Sequence, residues 1–178
     1  MAEHLAQPSD DRRTATHDAD APQNLIDFMS RDWIELRAGA SAHPQTTRLQ
    51  SRRDELSRSY PGEYLVVPAG REHVRANDTF FRFRTSTDFM YLMGAGEPGA
   101  LLVMEPDGAA HRSILFVAPH NRGEKEFFTD RVHGELWVGR HRGIDESQVF
   151  YGVDRALPLQ QISAYLAELR DAGHPLRV

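Results

Sequence analysis

Residues 100–117 read ALLVMEPDGAAHRSILFV. Ala100 to Met104 and Ser113 to Val117 are apolar runs of strand length, and Asp107-Gly108 lies in the link between them. Both of those residues tolerate positive φ, so the dipeptide is a strong hairpin signal. The stretch predicts a β-hairpin.

Working towards the N-terminus, Asp88 to Met93 is apolar and Thr79 to Arg84 alternates with aromatic residues. Glu63 to Val67 is β-like and ends at Pro68-Ala69-Gly70. Arg48 to Tyr60 predicts a helix, with Leu49 and Leu56 two turns apart and Pro61-Gly62 as the stop. Towards the C-terminus, Glu124 to Phe128 predicts one helical turn. Gly134 to Gly143 reads as a Gly- and Arg-rich loop around Trp137, and Val149 to Val153 as a short strand. Leu159, Ile162, Leu166 and Leu169 mark a second clear helix, with Pro158 in its first turn and Gly173 at its end. Leu176-Arg177-Val178 reads as the start of another strand. Helices before and after strands give the fold class as α/β, a mixed β-sheet flanked by helices.

This body occupies residues 46–178. Residues 1–45 form an N-terminal extension. Its first 22 residues are rich in Asp, Ala, Thr, Arg and Pro, the composition of a disordered tail. From Gln23 to Arg37, Leu25, Ile26, Met29, Trp33 and Leu36 fall near one helical face. That pattern predicts an amphipathic helix docked on the body or on a partner chain. Ala38 to Pro44 is a linker by composition.

Composition bounds the function. The 178 residues suffice for one domain with a real core, and 40% hydrophobic with 26% charged residues is globular. A net charge of −5 gives no electrostatic reason to expect nucleic acid. With no cysteine, thiolate nucleophiles, disulfides and Cys-ligated zinc are excluded. The start lacks the basic and apolar regions of a secretory signal, and no run approaches the roughly 20 apolar residues of a membrane helix. The expected location is the cytoplasm.

Familiar catalytic motifs fail on context. Gly94, Gly96 and Gly99 spell G-x-G-x-x-G, but Pro98 and an apolar strand-like run follow where the dinucleotide fingerprint needs a helix. They read as a tight turn between strands. The nine histidines show no paired helical ligands and read as solvated surface residues, His120 the least plainly so because it follows the strand Ser113 to Val117 and loops at strand ends often build sites. No G-x-S-x-G elbow and no phosphate-binding G-x-x-x-x-G-K loop occurs. Asn77-Asp78-Thr79 is a formal sequon only. Arg75, Arg82 and Arg84 lie near Asp88 in sequence and read as an ordinary set of ion pairs at a surface or interface rather than as binders of a substrate carboxylate. Trp137 reads as a core or interface aromatic.

Asn77 to Gly94, NDTFFRFRTSTDFMYLMG, resembles the N-terminal domain signature of Xaa-Pro aminopeptidases, enzymes similar to prolidase and creatinase. Glu97-Pro98 with the run to Met104, then Ile114-Leu115-Phe116, resemble the family's next strands. Glu135-Leu136-Trp137-Val138-Gly139-Arg140 with Gly143 resembles its E-x-W-x-G-x-R-x-G stretch. Arg52-Arg53 and Leu56 fit its opening helix and Gly152-Val153-Asp154 its later strand. The likeness runs over about residues 46–178.

The resemblance implies a creatinase/prolidase N-terminal domain with a ribonuclease-H-like motif. It implies that chemistry belongs to a C-terminal pita-bread domain, absent from this sequence, which binds two Mn(2+) and removes the residue preceding proline. No catalytic residue, metal ligand or cofactor is therefore expected in this chain. Its implied role is oligomer contact and walling of the active site, with a peptide substrate and a homo-oligomer as partners and no nucleic acid or membrane. Arg84, Asp88, Phe89, Met90, Tyr91, Trp137 and Arg140 are the substrate-access or interface candidates. Met90 stands where many relatives carry an aromatic, and Met93 replaces a common Thr. The alternative is a free-standing, non-catalytic interaction module of the same fold.

Overall fold

The computed structural model describes residues 21–32, 39–76, 79–130 and 133–178. Its helices are α1 (Gln23–Met29), α2 (Thr46–Ser59), α3 (Thr87–Met93), α4 (Glu126–Thr129), α5 (Glu135–Val138), α6 (Gly143–Tyr151) and α7 (Ile162–Asp171). Its strands are β1 (Tyr64–Pro68), β2 (Val74–Ala76), β3 (Thr79–Phe80), β4 (Leu101–Asp107), β5 (Ala110–Val117), β6 (Arg155–Pro158) and β7 (Leu176–Arg177).

The expected hairpin is the centre of a five-stranded sheet ordered β6-β5-β4-β1-β7. β4 pairs antiparallel with both β5 and β1, whereas β6 and β7 add parallel at the two edges. The hairpin closes between Asp107 and Ala110. Of the two residues expected to carry positive φ, only Gly108 does so, at 64°. This is the arrangement with glycine at the first central position of a two-residue turn.

Helices cover both faces of the sheet, which is why its strands read as unbroken apolar runs rather than as alternating ones. Leu102, Met104, Leu115 and Val117 point to one face, against Phe89, Leu92 and Met93 of α3 and Tyr151 of α6. Leu101, Val103, Ile114 and Phe116 point to the other, against Leu169 and the half-buried Ile162, Tyr165 and Leu166 of α7. Each such side chain taken fully from water contributes about 1.5–3 kcal/mol.

Some sequence expectations move. Val149 to Tyr151 lies in α6, not in a strand, and the strand follows at Arg155–Pro158. The buried stripe of α6 is Gly143, Ser147 and Tyr151, spaced i, i+4, i+8. Two of its three residues are not apolar, so the helical period is hidden. Glu135–Val138 is a helical turn rather than loop. Pro158 ends β6, and a short 3-10 turn over Leu159–Gln161 precedes α7. Within the aromatic stretch Thr79–Phe80 pairs with β2, the Phe81 N–H still donates to His73 O at 2.9 Å, and residues 82–86 leave the ribbon. β7 starts where expected. In α1, Ile26 and Met29 are half-buried while Leu25 and Phe28 are exposed. Trp33, Leu36 and the tail of residues 1–20 lie outside the described residues.

Candidate functional site: the α3 platform and the α5 turn

The stretch from Arg84 to Tyr91 forms a short exit segment and α3. Ser86 anchors the start of the helix. Its backbone N–H donates to Ala69 O at 2.8 Å, its hydroxyl donates to Pro68 O at 2.6 Å, and the hydroxyl oxygen accepts the N–H of Phe89 at 3.4 Å. This is an N-cap that also ties the helix to the end of β1. Gly94, at φ 76°, closes the other end in the left-handed conformation.

Phe89, a candidate by resemblance, is wholly buried and serves the core. An aromatic on the inward face of a helix packed on a sheet is withdrawn from any substrate. Met90 and Tyr91 are 43% and 51% exposed, and Asp88 and Arg84 are exposed as well. Phe81, 58% exposed, stands just upstream. Among the described residues, Arg75, Arg82, Arg84 and Asp88 form no ion pair within this chain. Strand pairing ends at Phe80, which leaves Arg82 and Arg84 on irregular chain that points to solvent.

The second group of candidates surrounds α5. The Trp137 indole N–H donates to Phe128 O at 2.8 Å and the ring is 56% exposed, flanked by exposed Leu136 and Val138. Arg140 pairs with Glu146. Neither Trp137 nor Arg140 makes a hydrogen bond, ion pair or ring contact with α3 among the described residues. The link between the two regions is Arg142, which binds Glu97 in the turn after α3 at 3.0 Å and lies 3.9 Å over the Phe150 ring.

Beneath α5 sits a buried carboxylate. Glu135 accepts the Nδ1–H of His120 at 2.8 Å and the backbone N–H of His141 at 2.8 Å, while its own N–H donates to Asn121 Oδ1 at 3.1 Å. Burial raises the Glu135 pKa, but the bonds from His120 and His141 outweigh burial and hold it below the ordinary 4.5. His111 is not a free surface residue either. Its Nε2–H donates to Glu63 O at 2.7 Å, which leaves Nδ1 to accept the Ser57 hydroxyl at 2.8 Å. The G-x-G-x-x-G glycines serve packing, in a turn from helix to strand rather than from strand to strand. A Cβ on Gly96 would lie 2.6 Å from the Thr85 side chain, and one on Gly94 2.8 Å from Leu49.

Among the described residues no three His, Asp or Glu are grouped to hold a metal ion. No helix among them is long and apolar enough to cross a membrane. The arrangement around α3 and α5 offers a partly apolar surface on anchored backbone.

A family model described as "Aminopeptidase P, N-terminal domain" matches residues 49–176. The chain belongs to the aminopeptidase P N-terminal domain family. Its core is 38% identical over 135 residues to Xaa-Pro aminopeptidase 1 of Streptomyces coelicolor, covering 75% of this chain and 26% of that protein. It is 34% identical over 122 residues to the Xaa-Pro aminopeptidase of Escherichia coli, covering 67% of this chain and 25% of that protein. Zinc-substituted Escherichia coli aminopeptidase P in complex with product superposes with a TM-score of 0.61 at 30% identity, over 72% of this chain and 27% of that one. The aminopeptidase P domain described here thus spans about a quarter of the length of the relatives it matches.

Two features of this aminopeptidase P domain escaped the reading of its sequence. Arg53 lies in the buried stripe of α2 with Leu49 and Ser57, at i, i+4, i+8. A cation on an apolar stripe was the available signal. The Glu135–His120 pair joins the first residue of α5 to the loop after β5 and has no local signature.

Proposed function

We propose that this chain is the N-terminal domain of a manganese-dependent Xaa-Pro aminopeptidase of the cytoplasm. The whole protein removes the N-terminal residue that precedes proline from peptides. This domain supplies subunit contacts and walls that limit access, and two Mn(2+) held elsewhere in the protein supply the hydrolytic chemistry. The observation that carries the reading is the similarity across residues 49–176 to enzymes named Xaa-Pro aminopeptidase, of which the chain covers about a quarter. The exposed Phe81, Met90 and Tyr91 on anchored backbone suit a wall, because a site built on a fixed element holds its geometry. Proline gives such an enzyme its niche, since its amide nitrogen carries no N–H and its ring fixes φ.

The test uses the product of the complete gene with manganese. A free Xaa-Pro tripeptide is cleaved, and the same peptide acetylated at its N-terminus is not. Replacing Phe81 and Met90 together by Ala raises KM for the free peptide. Cleavage of the acetylated peptide at the wild-type rate would refute the access role, and no cleavage of any Xaa-Pro peptide would refute the reaction.

A further inference from the structure

α3 has only seven residues, too few to be stable as an isolated helix. Two consecutive arginines of α2 hold its C-terminal end. The Arg52 guanidinium donates to Tyr91 O at 2.7 Å and lies 4.2 Å from the centroid of the Tyr91 ring. Arg53 donates to Leu92 O at 3.1 Å through Nη1, and through Nη2 to Gly152 O at 2.8 Å and Gln50 Oε1 at 2.6 Å. Arg53 is 1% exposed. Both cations therefore sit on the carbonyl end of the helix, where positive charge is favoured.

We propose that Arg52 and Arg53 are positioning residues that lock α3 to the body and so fix where Met90 meets a substrate. The substrate part of this rests on the function proposed above. The locking part does not. Ser86 fixes the first turn to β1 and the arginines fix the last turn to α2 and α6, so the helix has no free end about which to swing. Met90 is unbranched and adaptable. A flexible side chain makes a reproducible contact only if its backbone is fixed, and the arginine pair supplies that.

Two measurements separate the parts. In the 178-residue chain, Arg52→Ala keeps the buried Arg53 and the fold. Hydrogen exchange at the Met90 and Gly94 amides, which close α3, rises about tenfold, while amides of β4 and β5 are unchanged. Unchanged exchange in α3 would overturn the locking role. In the complete gene product, Arg52→Ala and Met90→Ala each raise KM for an Xaa-Pro tripeptide severalfold with kcat within about twofold. The double variant is no worse than the poorer single one. A fully multiplicative double effect, or a fall in kcat with KM unchanged, would overturn the positioning of Met90. If the unaltered gene product cleaves no Xaa-Pro peptide, the proposed reaction and the placement of Met90 against its substrate fall together, and the exchange result still decides the lock.

Discussion

The guanidinium of Arg53 reaches the carbonyl oxygen of Gly152, 99 residues along the chain, at 2.8 Å. Gly152 caps the end of α6, and the same side chain also meets Leu92 O near the end of α3. One buried cation thus satisfies the carbonyl ends of two helices from a third. Burial lowers its pKa below that of a free guanidinium, and no carboxylate among the described residues is hydrogen-bonded to it.

Replacing Arg53 by Met fills the volume but leaves Leu92 O and Gly152 O without their donor. Charge-assisted hydrogen bonds contribute about 1.5–3 kcal/mol each, and buried unsatisfied carbonyls cost a similar amount. Urea unfolding of Arg53→Met should show a loss of about 3 kcal/mol or more. Arg53→Lys should recover less than half, because a single ammonium cannot span the same carbonyls. A loss below about 1 kcal/mol would contradict this role.

The buried carboxylate of Glu135 gives a pH signature. Its pKa is depressed in the folded state, so the stability it contributes is present above the ordinary carboxylate value of 4.5 and is lost as pH falls through the folded value. Thermal melts from pH 6 down to about pH 3 should show wild type losing more than Glu135→Gln does. Parallel curves would contradict the direction of the shift.

Gly143 sits at φ 69°, and a Cβ there would lie 2.4 Å from the His120 ring. Gly143→Ala must both adopt an unfavourable backbone and displace the His120 ring. The expected loss is about 2 kcal/mol, together with a changed His120 ring signal in NMR spectra. An unshifted His120 resonance would contradict the contact.

Two of the five tyrosines should resist alkali. Burial, aided by Glu97, pushes Tyr151 up to about 12, and burial, aided by Glu105, does the same for Tyr165. A raised phenol contributes stability below its unfolded value near 10 and loses it as pH rises through the folded one. Absorbance at 295 nm should show Tyr151 and Tyr165 still protonated near pH 11, before the fold opens. All five titrating together near pH 10 would contradict the burial of these two rings.

Much of the fold was readable because the physics was local. The runs 100–104 and 113–117 needed only strand length and a turn residue, and α2 and α7 showed a helical period. α6 was lost because its inward stripe runs through Gly143 and Ser147, residues chosen for close packing rather than apolarity. The site was half-legible. The stretch 77–94 pointed to Met90 and Tyr91, yet nothing local told that Phe89 just before them turns inward. The clamp of Arg52 and Arg53 joins positions 39 residues apart, and the Glu135 site joins α5 to the loop after β5. Such contacts depend on the finished fold and leave no period in the chain.

The most direct test of the whole account is amino-acid release from an Xaa-Pro tripeptide in the presence of manganese. It compares the 178-residue chain with the product of its complete gene. The account predicts release by the complete product and none by the chain alone. Release by the chain alone would mean that its own residues carry the chemistry, and would contradict the division of labour proposed here.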